Sequence, residues 1–205
     1  LTLSGGGSLV SGGLTLNNAD SKLLLNSITL DNATTSANSL GLDVNADSTV
    51  TSLSVGHTTP VSIASNKTLS GAITVSAGSL KLNETGTLAS TVSMSGGTLD
   101  ADETSTVSGE LSHSSDITID VASAKTLTYS GTAIGVGANT ITLSGGGSLV
   151  SGGLTLDNAS SKLLLNSITV DNVTTSADSL GLDIDASSTV TSLSVGHITP
   201  VSIAN

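Results

Sequence analysis

Residues 1–65 return as residues 141–205 with 54 of 65 positions identical, so a 140-residue unit is followed by the start of a second one. A chain that repeats itself at fixed spacing must bury the same faces in every copy, which is the property of folds built by stacking. The differences between the copies sort by chemistry. Leu1, Leu30 and Val44 become Ile141, Val170 and Ile184, near-isosteric exchanges that suit a packed interior. Asn17, Asn38 and Asn45 become Asp157, Asp178 and Asp185, which adds charge at constant shape and suits positions facing water. One dry side and one wet side are expected along one continuous solenoid. Residues 1–140 form a full unit and residues 141–205 begin a near-identical second, and the sequence is expected to be an excerpt of a longer tandem array.

A shorter beat runs inside the unit. Apolar-x-apolar triplets, the mark of strands with one buried face, recur at Leu42/Val44, Val61/Ile63, Leu80/Leu82 and Leu99/Ala101 with a step of 19 residues. They continue to Ile119/Val121 and Ile141/Leu143, and back to Leu23/Leu25 and Leu1/Leu3, giving seven coils per unit. A second apolar column passes through Val50, Leu69, Leu88, Val107, Leu127 and Leu149, and a third through Val55, Val75, Met94, His113, Val136 and Leu156. These columns predict an all-β parallel β-solenoid with three short strands per coil of about 19 residues, stacked about 4.8 Å apart. Between the apolar positions, Thr49, Thr68, Thr87, Thr106 and Thr126 are expected to stack as a hydroxyl ladder. Lys81 should lie beside Asp100, and Asp100 beside Asp120. The stretch from Lys22 to Leu40 fits least well, because Asp31 falls where the second column wants an apolar residue; a strand with a shifted corner and a helix both remain open there.

Composition bears on thickness and on partners. The chain has no Phe and no Trp, so Leu, Ile and Val must fill the interior, and a narrow interior can be filled that way. Ser and Thr make up roughly a third of the residues, and Gly contributes 23 against 2 Pro, a profile of short strands and tight turns. A net charge of −11 with five Lys and no Arg cannot build a basic patch, so neither nucleic acid nor an anionic membrane surface is an expected partner. Apolar runs are short, as at Leu23, Leu24 and Leu25, and no membrane insertion is expected. Cysteine is absent, so disulfides say nothing of the compartment. The absence of Arg and the near absence of aromatic residues would spare the chain from common proteases, which points outside the cell.

Candidate chemistry is sparse. Asp100, Asp102 and Glu103 form an acidic cluster that could pair carboxylates for catalysis or hold calcium, but a solvated corner explains it, and the bases and aromatic platforms of a sugar-cleaving site are missing. No enzyme is expected, and no cofactor. The Gly-rich corners Gly5–Gly7 and Gly12–Gly13 lack the Asp of calcium-binding solenoid repeats. Isolated, adventitious Ca2+ near Asp43 and Asp47, or among Asp100, Asp102 and Asp120, is the remaining metal expectation. His57 and His197 are the same solvent-facing corner in two copies, and His113 reads as a local break toward a corner. The sequons at Asn32, Asn66, Asn83, Asn158 and Asn172 occur at about the frequency chance would give and decide nothing.

The alternation of Leu-x-Leu triplets with Gly-rich corners, as in Leu1-Thr2-Leu3-Ser4-Gly5-Gly6-Gly7-Ser8-Leu9-Val10-Ser11-Gly12-Gly13-Leu14-Thr15-Leu16, resembles the passenger regions of bacterial autotransporters and filamentous-haemagglutinin-type adhesins. The resemblance spans the chain and lies in pattern and composition. It implies a right-handed parallel β-helix, a secreted protein at the cell surface, and an attachment or matrix role. Left-handed solenoids carry a hexapeptide beat, which the 19-residue step does not match. The expected function is an extracellular structural protein, a stalk, fibre or surface coat whose partners are further copies of the repeat, associating end to end or side by side, and cell-surface or matrix components. The alternative is an ice-binding solenoid using the Thr-x-Thr rows Thr49-x-Thr51, Thr126-x-Thr128 and Thr189-x-Thr191.

Overall fold

The computed structural model describes residues 1–204; Asn205 lies outside them. The chain is a parallel β-solenoid of about ten turns. One face is an eleven-stranded sheet running from Thr2–Ser4 to Val201–Ile203, and every strand ladder among the described residues is parallel. The other two faces share a second sheet, because in several coils a single strand bends across the corner between them. In Ser48–Val55 the burial alternates up to Val50, Thr51 and Ser52 both face outward, and the alternation resumes one residue out of phase at Leu53. The ladder to the next coil shifts at this same point, so the corner is a bulge that turns the strand while keeping Val50 and Leu53 inside.

The interior is one column of aliphatic side chains. Leu25, Leu42, Leu80, Leu99, Leu143, Leu163 and Leu165 are fully buried on the first face, and Leu30, Leu69, Leu88, Leu149 and Val170 on the second. Burial of such side chains is worth about 1.5–3 kcal/mol each and offsets the entropy of ordering so many short strands. Tyr129 joins this column, buried to 4 % exposure, as the chain's single aromatic residue.

The ladders confirm most of the expected stacking and move some of it. Leu23 pairs with Leu42, Leu42 with Val61, Leu80 with Leu99 and Leu99 with Ile119, all as the triplets predict. At two places the first face slips by two residues. Leu82 sits opposite Val61 rather than Ile63, which puts Lys81 opposite Pro60, and Leu143 sits opposite Ile119 rather than Val121. A slip of two keeps every side chain on its own side of the sheet, so the hydrophobic pattern survives it. Each slip leaves one apolar residue, Ile63 or Val121, without a strand partner on the following coil, and a glycine covers it. A Cβ on Gly86 would meet Ile63 Cγ2 at 2.5 Å, and one on Gly147 would meet Val121 Cγ1 at 2.7 Å.

The second face slips in the same way, and this corrects the threonine ladder. Thr68, Thr87 and Thr106 do stack. Thr49, however, pairs with Ser70, and Thr106 with Thr128, while Thr126 pairs with Ser148. Both displacements follow a Ser-Thr-Val tripeptide whose serine is turned inward: Ser48 lies opposite Leu69 and Ser105 opposite Leu127. These buried hydroxyls find backbone acceptors, Ser48 donating to Ala46 O at 2.8 Å and Ser105 lying 2.9 Å from both Glu84 O and Glu103 O. The Lys22–Leu40 stretch is resolved as strands Lys22–Asn26 and Thr29–Thr35, with the corner at Ser27, whose φ is 54°. Leu30, not Asp31, fills the second column, and the Asp31 carboxylate turns outward to accept from Ser11 N and Ser11 Oγ.

Candidate functional site

No single cleft dominates the surface, so its chemistry is best read face by face. The lysine ion pairs lie on the first face and at its corners. Lys22 pairs with Asp43 at 2.6 Å, Lys81 with Asp102 at 2.9 Å and Asp100 at 3.2 Å, Lys125 with Glu103 at 2.6 Å, and Lys162 with Asp183 at 2.7 Å. Strand pairing explains the geometry. Lys81 is directly opposite Asp100 and Asp100 opposite Asp120, as the sequence predicts. Burial lifts the Asp100 carboxyl above the ordinary carboxylate range; Lys81 pulls the other way, and Asp102 and Asp120 add to the rise. Lys81 itself is held above the usual lysine value, chiefly by its hydrogen bond to Asp102.

The carboxylates named as cation candidates are thus engaged with protein donors. Asp43 holds Lys22, Asp47 accepts from Thr68 N at 2.9 Å, Asp100 and Asp102 share Lys81, and Asp120 accepts from Ser144 Oγ. Among the described residues no group of three or more His, Asp or Glu side chains is arranged to hold a metal ion. The cluster Asp100, Asp102 and Glu103 is divided between two lysines rather than aimed at a common point.

The third face carries an uncharged hydroxyl row. Thr15 pairs with Thr34, Thr34 with Ser54, Ser54 with Thr74, Thr74 with Ser93 and Ser93 with Ser112, each exposed between less exposed neighbours. Ser93 Oγ and Ser112 Oγ lie 3.2 Å apart. This row is more regular than the threonine ladder expected on the second face. The signal for it was present in the residues between the third-column apolars, Thr15, Thr34, Ser54, Thr74, Ser93 and Ser112. The Thr-x-Thr rows are less regular: Thr126 and Thr128 face Ser148 and Val150 on the next coil, and Thr51 sits on the bulge.

His113 is half-buried in the third column, in register with Met94, and the ladder it belongs to stops there. Its ring reaches across the interruption, Nε2 lying 2.9 Å from Gly135 O and Nδ1 3.1 Å from Ser115 O. Tyr129 Oη, from the next coil, accepts from Leu111 N at 3.2 Å, and Gly131 leaves room for the phenol. These side chains replace backbone partners that the ladder does not supply. His57 is exposed, and His197 lies 3.8 Å from Asp178 at a corner.

Two shallow grooves occupy the same place in the two copies. One, of about 320 Å³, is lined by Gly6, Ser27, Ile28, Asp47, Thr49 and Thr68; the other, of about 240 Å³, by Gly146, Ser167, Ile168, Ser187 and Thr189. Both are open corners between coils, and Asp47 is replaced by Ser187 in the second. No family model, no curated protein and no solved structure matches the chain.

Proposed function

We propose that this chain is a length-setting segment of an extracellular structural protein, a stalk, fibre or coat at a bacterial cell surface, working without catalysis. The observation that supports this most is the equivalence of the two copies in the interior. Leu16 and Leu156, Leu23 and Leu163, Leu25 and Leu165, and Leu42 and Leu182 are all buried, each at the same place in its coil. A unit added to such a column meets the same neighbours as the one before it, so length can grow without redesign of the core. The face chemistry agrees with a mechanical role, because carboxylates such as Asp43, Asp100 and Asp183 are engaged by neighbouring lysines and the third-face hydroxyl row presents a hydrated, uncharged surface. Association with further copies of the repeat or with matrix components belongs to this reading.

The test is length against unit number. The first-face sheet advances seven rows from Thr2–Ser4 to Thr140–Ser144. Each added unit should therefore lengthen single particles by about 34 Å at constant width in electron micrographs. Particles that grow in all dimensions would overturn the reading. Thermal hysteresis or ice shaping by the purified chain would favour the ice-binding alternative instead.

A further inference from the structure

One joint between coils is held differently from the rest. The coil of strands Thr98–Ala101, Ser105–Val107 and Leu111–His113 is followed by the coil of Ile117–Val121, Thr126–Tyr129 and Ile134–Gly135. On two faces continuous ladders join them, with Leu99 opposite Ile119 and Thr106 opposite Thr128. On the third face, among the described residues, Leu111–His113 pairs only with Thr91–Met94 below it and Ile134–Gly135 only with Leu154–Leu156 above it, so no ladder crosses between them. Two faces therefore form a hinge, and side chains close the third: Tyr129 Oη accepts from Leu111 N, and the His113 ring lies between Gly135 O and Ser115 O. Nε2 is 2.9 Å from Gly135 O and Nδ1 is 3.1 Å from Ser115 O, and both partners are carbonyl oxygens, which accept and cannot donate. A neutral imidazole carries hydrogen on one nitrogen, so either tautomer leaves a ring lone pair facing a carbonyl lone pair; only the imidazolium donates at both positions. We infer that His113 is a proton-operated latch, which closes the third face between these two coils when its ring is cationic and releases it when the ring loses its proton.

The surroundings of the ring suit a cation. The ionisable groups on the segments packed around it are Glu110 and Asp116 on its own coil and Tyr129 and Asp157 on the coils that follow; the strand beneath, Thr91–Met94, has none. Asp116 accepts from Thr140 N at 2.7 Å and Asp157 from Gly137 N at 2.7 Å, which holds both carboxylates at this corner. Asp157 Oδ2 also lies 2.7 Å from where a Cβ on Gly135 would stand, beside the residue whose carbonyl the ring reaches. Lys125, the one lysine of these two coils, is turned away to Glu103 at 2.6 Å. Negative charge without a competing cation favours the imidazolium. A trough of about 210 Å³ lined by Thr74, Ser93, Ser112 and His113 opens the ring to water, so its proton equilibrates with the medium. Because the closed joint binds a proton that the open joint holds less tightly, closure is favoured in acid and lost as pH rises through the range where imidazoles change charge, about pH 5–8.

The experiment uses the full chain. Nitrogen-15 spectra of the histidine side chains read the ring directly: both His113 nitrogens should carry hydrogen at a pH where the exposed His57 carries one. Amide exchange, corrected for the intrinsic rate at each pH, should show protection at Leu111 and Gly135 falling between about pH 5.5 and 8 by up to about tenfold per pH unit, the limit for one linked proton. His113→Gln, whose side-chain amide donates without titrating, should hold that protection constant. A double variant, His57→Gln with His197→Gln, should reproduce the parent, and carboxylate effects common to all three proteins cancel in the comparison. A neutral His113 ring in a protected joint, a parent whose protection does not change with pH, or an equal loss in His113→Gln would overturn the latch. If His113→Gln does not fold, the ring spectrum of the parent decides alone, because a neutral ring in the closed joint contradicts the inference. The length-setting role proposed above is tested by particle length and stands or falls separately.

Discussion

Glycine and aspartate carry the sharpest consequences at the scale of single residues. Gly41 has φ +81°, and a Cβ there would lie 1.8 Å from Pro60 O; Gly12 has φ +47° with nothing within 4 Å. Gly41→Ala should therefore cost about 3 kcal/mol or more, and Gly12→Ala only about 1–2 kcal/mol of backbone strain, as read by chemical denaturation. The two acidic positions should respond to pH with opposite sign. Burial raises Asp100, so the folded state holds that proton more tightly than the unfolded chain, and ionisation costs stability as pH rises through the carboxylate range. Asp100→Asn should match the parent at low pH and gain on it toward neutrality. Asp183 is lowered by its hydrogen bond to Lys162, so its stabilising contribution is present above the ordinary carboxylate value and lost as pH falls. Asp183→Asn should be the less stable protein at neutrality and converge on the parent in acid. Melting curves of the three proteins across about pH 3–7 check both signs at once.

At the scale of elements, the irregular coil between Leu111 and Val136 is where the solenoid departs from its own rule. Its third-face ladder is interrupted, and side chains of His113 and Tyr129 complete it. Tyr129→Phe keeps the buried ring and removes the acceptor of Leu111 N–H, so it should cost about 1–3 kcal/mol, with faster amide exchange concentrated at Leu111 and its neighbours. The strands themselves were legible in the residues. The triplets locate the first face, and third-column apolars from Val55 to His113 pair as expected. Registry between coils was less so, for a physical reason. Side chains alternate with period two, so a slip of two leaves every apolar residue inside, and apolar spacing alone cannot distinguish Val61 opposite Leu80 from Val61 opposite Leu82. What distinguishes them is the inward serine of Ser48-Thr49-Val50 and Ser105-Thr106-Val107, and the glycine that covers the stranded apolar residue. Those cues gain meaning only once the coil above is in place. The hydroxyl row from Thr15 to Ser112 is hard to see in the sequence because Ser and Thr occur on every face of the coil, and only the register between coils aligns these six.

At the scale of the whole molecule, regular and irregular features divide the work. The aliphatic column and its parallel ladders make the coils interchangeable, while the paired slips and the interrupted coil make each position in the unit distinct. The 140-residue period is therefore the distance over which the full set of slips and corners recurs, and the coil is the smaller module beneath it. The claim that rests on all of this is that successive coils stack in parallel at the displaced register. Because the chain has no cysteine, introduced pairs report on it without background. Thr106→Cys with Thr128→Cys should oxidise readily to a disulfide, since directly paired positions lie about 5 Å apart, within the range a disulfide spans. Thr106→Cys with Thr126→Cys, offset by two residues and about 8 Å apart, should not. The reverse result would contradict the register, and equal failure of both pairs would contradict the stacking of these coils.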